Sequence, residues 1–95
     1  MGIRRLVLDV LKPLEGPSLV ELSKILGKLN GVTGVNISVV EIDKQTETLK
    51  VTIEGTSIKY ENIIAELDKY GAVIHSVDEV AAGKKIVNSV ETEQD

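Results

Sequence analysis

Two carboxylates and two hydroxyls fall at positions that a folded sheet would bring to one patch. Asp9 interrupts an apolar strand near the N-terminus, Thr52 belongs to a strand in the middle of the chain, and Ser76 and Asp78 belong to the last strand. Oxygen atoms are the ligands that Ca²⁺ and Mg²⁺ prefer, and water can complete their coordination. We therefore take Asp9 and Asp78 as candidate metal ligands, with Ser76 and Thr52 as neighbours.

The same carboxylates have a simpler explanation as surface charges. Acidic side chains keep an exposed strand face soluble, and Asp9 or Asp78 could instead pair with Lys50 or Arg5 of another subunit. The spacing also lacks the loop signature of the common calcium-binding motif. Both interpretations of this patch stay open on the sequence alone.

Three further acids surround a predicted hairpin turn. Glu41, Asp43 and Glu47 are typical of a solvated loop, and a weak cation site is the alternative. Lys84 and Lys85 follow a glycine near the C-terminus, where they solubilise the chain or bind an anion or the acidic tail of another subunit.

The only histidine of the chain is the remaining candidate for proton transfer. Strand alternation groups His75 with Val73 and Val77, on the opposite side from Asp78. A general base needs a convergent partner, so we expect a half-buried, hydrogen-bonded residue instead. No catalytic residue is assigned and the chain is predicted not to be an enzyme; acid–base chemistry through Asp9, His75 and Asp78 is the less favoured alternative.

Composition excludes several functions. A net charge of −4 disfavours nucleic acid, whose binding needs clustered Lys and Arg. The absence of cysteine removes disulfides, thiolate metal sites and cysteine catalysis. The first apolar run is broken by Asp9, unlike a signal peptide, and no run is long enough to span a bilayer. We expect a cytoplasmic protein without nucleic-acid or membrane partners.

Hydrophobic periodicity predicts six elements. The predicted segments are, in chain order, a strand over 3–11, a helix over 19–29, strands over 35–43 and 49–54, a helix over 60–70 and a strand over 72–80. A capping box of Ser18 and Glu21 marks the start of the first helix, whereas the second helix has no clean start signal. The pattern predicts one α+β domain over 1–83 and a C-terminal extension with an acidic tail over 84–95.

Right-handed connections would place both helices on one face of a four-stranded antiparallel sheet with strand order 4-1-3-2. This is the ferredoxin-like βαββαβ sandwich. The strand residues expected beneath the helices are Leu6, Leu8, Val10, Val35, Ile37, Val39, Leu49, Val51 and Ile53.

The helix-free face of this sheet would carry an unusual number of aliphatic side chains. The exposed apolar residues expected there are Val7, Leu11, Val40, Ile42 and Ile74. A patch of this kind is larger than small monomers normally expose, so it predicts a homo-oligomer interface. Scattered surface aliphatics that need no partner are the alternative.

Three segments also carry a resemblance to a known family. GVTGVNISVVEIDKQTE, VIHSVDEVAAGKK and the terminal ETEQD, together with the chain length and element order, resemble an archaeal family of small uncharacterised proteins, a domain of unknown function. The resemblance implies a ferredoxin-like fold and ring-like homo-oligomers, and it supplies no catalytic residues.

These observations lead to a functional expectation. We expect an oligomeric binding or regulatory module that holds a small ligand or a hard cation, Ca²⁺ or Mg²⁺, at the helix-free face or between subunits. A purely structural homo-oligomer or protein-interaction subunit is the alternative, and the sequence barely separates the two.

Overall fold

The computed structural model describes residues 2–90, and the acidic tail expected over 91–95 lies outside the described residues. The elements are, in order, β1 (Ile3–Pro13), α1 (Leu19–Gly27), β2 (Val32–Ile42), β3 (Thr46–Ile58), α2 (Tyr60–Asp68) and β4 (Val73–Ala82). The predicted βαββαβ order is therefore confirmed, with strands longer than expected.

All four strands join one antiparallel sheet. Its order is β2-β3-β1-β4, which is the predicted order 4-1-3-2 counted from the other edge. β1 and β3 lie at the centre, while β2 and β4 form the edges. The ferredoxin-like α+β fold is confirmed.

The core lies between the helices and the two central strands. Its fully buried members on the sheet are Leu6, Leu8 and Val10 of β1 and Leu49, Val51 and Ile53 of β3. The helices supply Leu22, Leu26, Ile63 and Leu67 to the same cluster. Branched and aliphatic side chains thus form this core without any Phe or Trp.

Edge strand β2 is less covered than the sequence predicts. Val35 and Ile37 pack against the core, but Val39 is 39% exposed. The reason is a difference in length, because a nine-residue helix spans about 13 Å and an eleven-residue strand about 36 Å. The helices therefore cover only part of their side of the sheet.

The two helices begin differently. Ser18 accepts the Glu21 N–H at its Oγ (3.1 Å), and Glu21 accepts the Ser18 N–H at its carboxylate (3.0 Å), which completes the predicted capping box of α1. α2 begins after Lys59, whose side chain makes no capping hydrogen bond. Within residues 2–90, neither helix has the length and apolar character needed to cross a membrane.

The connection from α1 to β2 depends on one glycine. Gly31 has φ +86°, a conformation that costs other residues energy, and its carbonyl accepts the Thr56 N–H at 2.9 Å. A Cβ atom at this position would overlap the carbonyl oxygen of Ser57. Gly31 therefore lets the end of the first helical segment lie directly against β3.

Candidate functional site

The sheet face opposite the helices, here called the open face, carries alternate residues of the central strands. Three cross-strand pairs run along its middle: Val7 with Thr52, Asp9 with Lys50, and Leu11 with Thr48. Residues directly opposite in an antiparallel pair share a face, so polar and apolar side chains mix on this surface.

The predicted polar patch is only partly assembled. Ser76 lies opposite Asp9 on β4, and its Oγ donates a hydrogen bond of 2.8 Å to Oδ1 of Asp78. On the other side of Asp9 the cross-strand neighbour is Lys50, and Thr52 lies two residues further along β3. Thr52 is therefore on the strand beside Asp9 that the sequence predicts, but it lies opposite Val7 and not opposite Asp9.

The described part of one chain does not contain a complete metal site. Across residues 2–90, no three His, Cys, Asp or Glu side chains converge in a way that could hold a metal ion. A cation bound at Asp9 would need most of its ligands from water or from a second chain. The proposed roles of Asp9 and Asp78 as ligands stay predictions.

Strand β4 contains irregularities that change which residues share a face. Its pairing with β1 shifts between Val7 and Leu8 and again between Asp9 and Val10, which leaves Asp78 and His75 without partners of their own. Each extra residue in a β-bulge moves the following side chains to the other face.

The bulge at His75 brings this residue to the open face. His75 is exposed and lines a depression of about 230 Å³ together with Asp9, Leu11 and Thr48. The prediction that His75 is half-buried and faces away from the acids is therefore wrong. Within the described chain, however, no hydrogen bond joins His75 to Asp9.

The same bulge moves Ile74 off the open face. Ile74 lies opposite Val10 and packs against the hydrophobic core, so its predicted place on the open face is wrong. Val73, which the alternation assigned to the helix side, lies opposite Leu11 instead and is exposed. Val73 is thus an apolar residue of the open face that the sequence did not reveal.

A further irregularity in β2 moves Ile42. The pairing with β3 shifts between Val39 and Glu41, so Val40 is the additional residue, and Ile42 then lies opposite Glu47. Glu47 in turn lies opposite Lys12. Lys12 is two residues from the buried Val10 and shares its face, so Lys12, Glu47 and Ile42 lie on the helix-bearing side of the sheet. The predicted place of Ile42 on the open face is wrong for the same physical reason as that of Ile74.

Three of the five predicted interface residues thus remain on the open face. They are Val7, Leu11 and Val40, of which Val7 is half-buried and the other two are exposed. Their role as an oligomer interface stays a prediction. With Val73 added, the apolar part of this face is smaller and more interrupted by charge than the sequence suggested.

One end of the open face carries a charged cluster. Nε of Arg5 lies 2.9 Å from the Glu54 carboxylate, and its Nη1 lies 3.2 Å from the Glu79 carboxylate. The Glu54 hydrogen bond, followed by that of Glu79, raises the pKa of Arg5. Because two carboxylates of its own chain already balance this charge, Arg5 is poorly suited to pair with an Asp of another subunit.

A buried ion pair lies on the helix-bearing side at the other end of β1. Lys12 is 1% exposed, and its Nζ lies 3.0 Å from the Glu47 carboxylate and 2.8 Å from the carbonyl oxygen of Pro13. Glu47 is therefore not part of a solvated acidic cluster with Glu41 and Asp43. Lys12 is two residues after Val10 in the same strand, so strand alternation places both on the buried face. The sequence prediction did not use this signal and missed the burial of Lys12.

The comparisons with known proteins agree with the resemblance seen in the sequence. Residues 4–95 match the model of the DUF211 family, which is described as "Uncharacterized ArCR". "Uncharacterized protein MJ0319" of Methanocaldococcus jannaschii is 51% identical over 94 residues, which cover 99% of this chain and 96% of that protein. The predicted resemblance to an archaeal family is confirmed, and the chain belongs to the DUF211 family.

Proposed function

We propose that this protein is a non-enzymatic, homo-oligomeric binding module whose open face is a subunit contact surface. The observation that carries the proposal is the exposure of Leu11, Val40 and Val73 on the helix-free face, next to the depression at Asp9 and His75. Burying these aliphatic side chains against a second subunit would stabilise the oligomer by about 25 cal/mol per Å² of apolar surface removed from water. A chain of 95 residues has a modest core, so this contribution matters.

The depression supports a proposal about the ligand. Asp9 offers a carboxylate, Thr48 a hydroxyl and His75 an imidazole around the apolar side chain of Leu11. Such a set suits a small polar ligand or a hydrated divalent cation, with Ca²⁺ and Mg²⁺ favoured by the oxygen donors. Because one chain offers few ligands, we place the bound group between subunits, where a second copy would add its own Asp9.

The non-enzymatic part of the proposal rests on the arrangement around His75. A histidine that acts as a base needs a partner that fixes its tautomer and orientation. His75 shares the depression with Asp9, but the described residues contain no hydrogen bond between them. The acid–base alternative therefore has His75 and Asp9 close together, but it lacks a contact that would orient the imidazole. We assign the protein to the cytoplasm, in keeping with a chain that contains no cysteine.

Native mass spectrometry with a matched pair of variants tests the contact surface. Val40 on the open face is 66% exposed and Val20 on α1 is 63% exposed, so each offers a similar valine in a different place. We expect Val40→Lys to weaken self-association at least about tenfold, because a charge would be buried in the interface, while Val20→Lys leaves it unchanged. A monomeric wild-type chain, or equal effects of both variants, would contradict the proposed contact surface.

The same spectra separate binding from structural assembly. A stoichiometric ion that a chelator removes and added Ca²⁺ or Mg²⁺ restores supports cation binding, and Asp9→Asn is then expected to abolish it. A purely structural homo-oligomer is the second candidate, favoured by the absence of three convergent ligating side chains within residues 2–90. It predicts oligomers that neither chelator nor Asp9→Asn changes.

A further inference from the structure

An apolar groove separates α2 from edge strand β4 on the helix-bearing side of the sheet. Two depressions of about 230 and 210 Å³ follow one another along this line and meet at Tyr60. We call them together the β4 groove, and its partly exposed apolar lining comprises Tyr60, Ile64, Ile74, Val77 and Val80. Among the described residues, Asp68 at the end of α2 is the one acidic residue that lines it.

Residues 84–90, here called the C-terminal arm, expose two of their three aliphatic side chains, and Ile86 is half-buried. The carbonyl oxygen of Lys84 accepts a hydrogen bond from Nη1 of Arg4 (3.2 Å), and Oδ1 of Asn88 accepts one from Nη1 of Arg5 (2.9 Å). The polar Asn88 therefore faces the domain, whereas Val87 and Val90 are 68% and 85% exposed.

The arm and the groove of one chain do not meet. Asn88 is bound to Arg5, and Arg5 lies among the acids of the open face. The β4 groove is on the other side of the sheet, against α2. One chain thus presents an apolar arm and an apolar groove that are both uncovered, on different sides of the same sheet.

We propose that the C-terminal arm of one chain docks into the β4 groove of a second copy. Val87 and Val90 are three residues apart, a spacing that an extended chain with three residues per turn places on one side. Val77 and Val80 lie opposite Leu8 and Leu6 of β1, so the extra residue Asp78 leaves both valines on the helix-bearing side, about 7 Å apart along the strand. The two pairs of valines can therefore pack against each other in the same order.

Charge and length agree with this occupant. Lys84 and Lys85 are exposed immediately before the aliphatic part of the arm, and Asp68 is at the end of the groove away from Val80. From residue 85 to residue 90 an extended segment spans about 16 Å. Ile74 and Val80 lie opposite Val10 and Leu6, which are four residues apart, so the groove along β4 spans about 13 Å. An arm with its lysines near Asp68 would thus place its valines over Val77 and Val80.

This inference rests on the proposed homo-oligomeric function and adds a contact apart from the open face. The contact is head to tail, because an arm on one chain meets a groove on the next, and such contacts build rings when the rotation closes. The arm therefore supplies a means of joining subunits that needs no two-fold symmetry.

The first test measures the contact without requiring assembly. The acetylated and amidated peptide KKIVNSV, which is residues 84–90, is titrated into the isotope-labelled full chain carrying Val87→Ser and Val90→Ser, so that the groove is free. We expect saturable NMR shifts at Tyr60, Val77 and Val80. Changing both valines of the peptide to serine, or Val80 of the chain to Asp, is expected to weaken binding at least about tenfold.

The second test measures assembly by sedimentation. We expect Val87→Ser with Val90→Ser to weaken self-association at least about tenfold relative to the control Val20→Ser, an exposed valine on α1. Peptide shifts confined to the open face, or no saturable shift, would overturn the arm contact even if Val40→Lys disrupts assembly. A wild-type chain that stays monomeric would overturn the proposed oligomeric function and, with it, the docking of the arm into a second copy.

Discussion

The two strand–helix–strand halves of the molecule share a topology and differ in how they are closed. In the first half, α1 has a complete capping box, and Gly31 docks the following turn against β3. In the second half, α2 has no side-chain cap and β4 pairs irregularly with β1. A groove remains between α2 and β4. The helix of the half with strong local signals is fixed at both ends, whereas the other half keeps an apolar groove beside its helix.

The largest expected difference between the halves lies in the glycines that follow the helices. Gly31 and Gly71 both have positive φ, but only at Gly31 would a Cβ atom overlap backbone, at the carbonyl of Ser57. At Gly71 the nearest atom would be Cγ of Pro13, at 3.4 Å. We expect Gly31→Ala to lower the free energy of unfolding by roughly 3 kcal/mol or more and Gly71→Ala by about 1 kcal/mol.

Urea unfolding followed by circular dichroism measures both values. Gly34→Ala is the control, because Gly34 has no positive φ and open space around it, and its effect should stay within about 0.5 kcal/mol. Equal losses for Gly31→Ala and Gly71→Ala would show that the backbone contact with Ser57 does not distinguish the two halves.

The helix caps should give a smaller difference. Ser18→Ala removes the hydroxyl that accepts the Glu21 N–H, and we expect it to cost about 1 kcal/mol. Lys59→Ser places a capping side chain before α2, where none acts now, and should stabilise the chain by about 0.5 kcal/mol. The same unfolding experiment measures both variants. A loss of stability in Lys59→Ser would contradict the interpretation that a capping side chain is what the start of α2 is missing.

Sequence reasoning succeeded where the signal was local or topological. The capping box of Ser18 and Glu21 located the start of α1, and the alternation in β1 and β3 identified Leu8 and Val51 as core residues. The order of elements, with the handedness of their connections, then sufficed for the sheet order.

The failures of prediction concentrate at the bulges of the edge strands. One extra residue at His75 exchanges the faces of Val73 and Ile74, and another at Val40 moves Ile42. A bulge is a property of the pairing between two strands, so the alternation within one strand does not reveal it. The candidate site was affected because β4 supplies His75, which the alternation assigned to the other face.

The difference between the halves also predicts a dependence on pH. The backbone hydrogen bond from Ser18 to Glu21, with a smaller contribution from the Ser18 side chain, lowers the pKa of Glu21 below its ordinary value of 4.5. A group with a lowered pKa in the folded state stabilises the fold fully above its unfolded pKa, and this stabilisation is lost as the pH falls through the folded pKa. Acid should therefore weaken the start of α1.

The expected readout is the pH dependence of unfolding. Glu21→Gln keeps an oxygen acceptor for the Ser18 N–H but cannot titrate, so its stability should fall less than that of the wild-type chain as the pH drops below 4.5. Ser18→Ala removes only the smaller side-chain contribution and keeps the backbone N–H, so the pKa of Glu21 should rise only part of the way toward its ordinary value. A carbon-detected NMR titration of the carboxyl measures this directly. If the wild-type and Gln chains lose stability in parallel, other carboxylates carry the acid sensitivity, and the capping box closes the first half through its geometry alone.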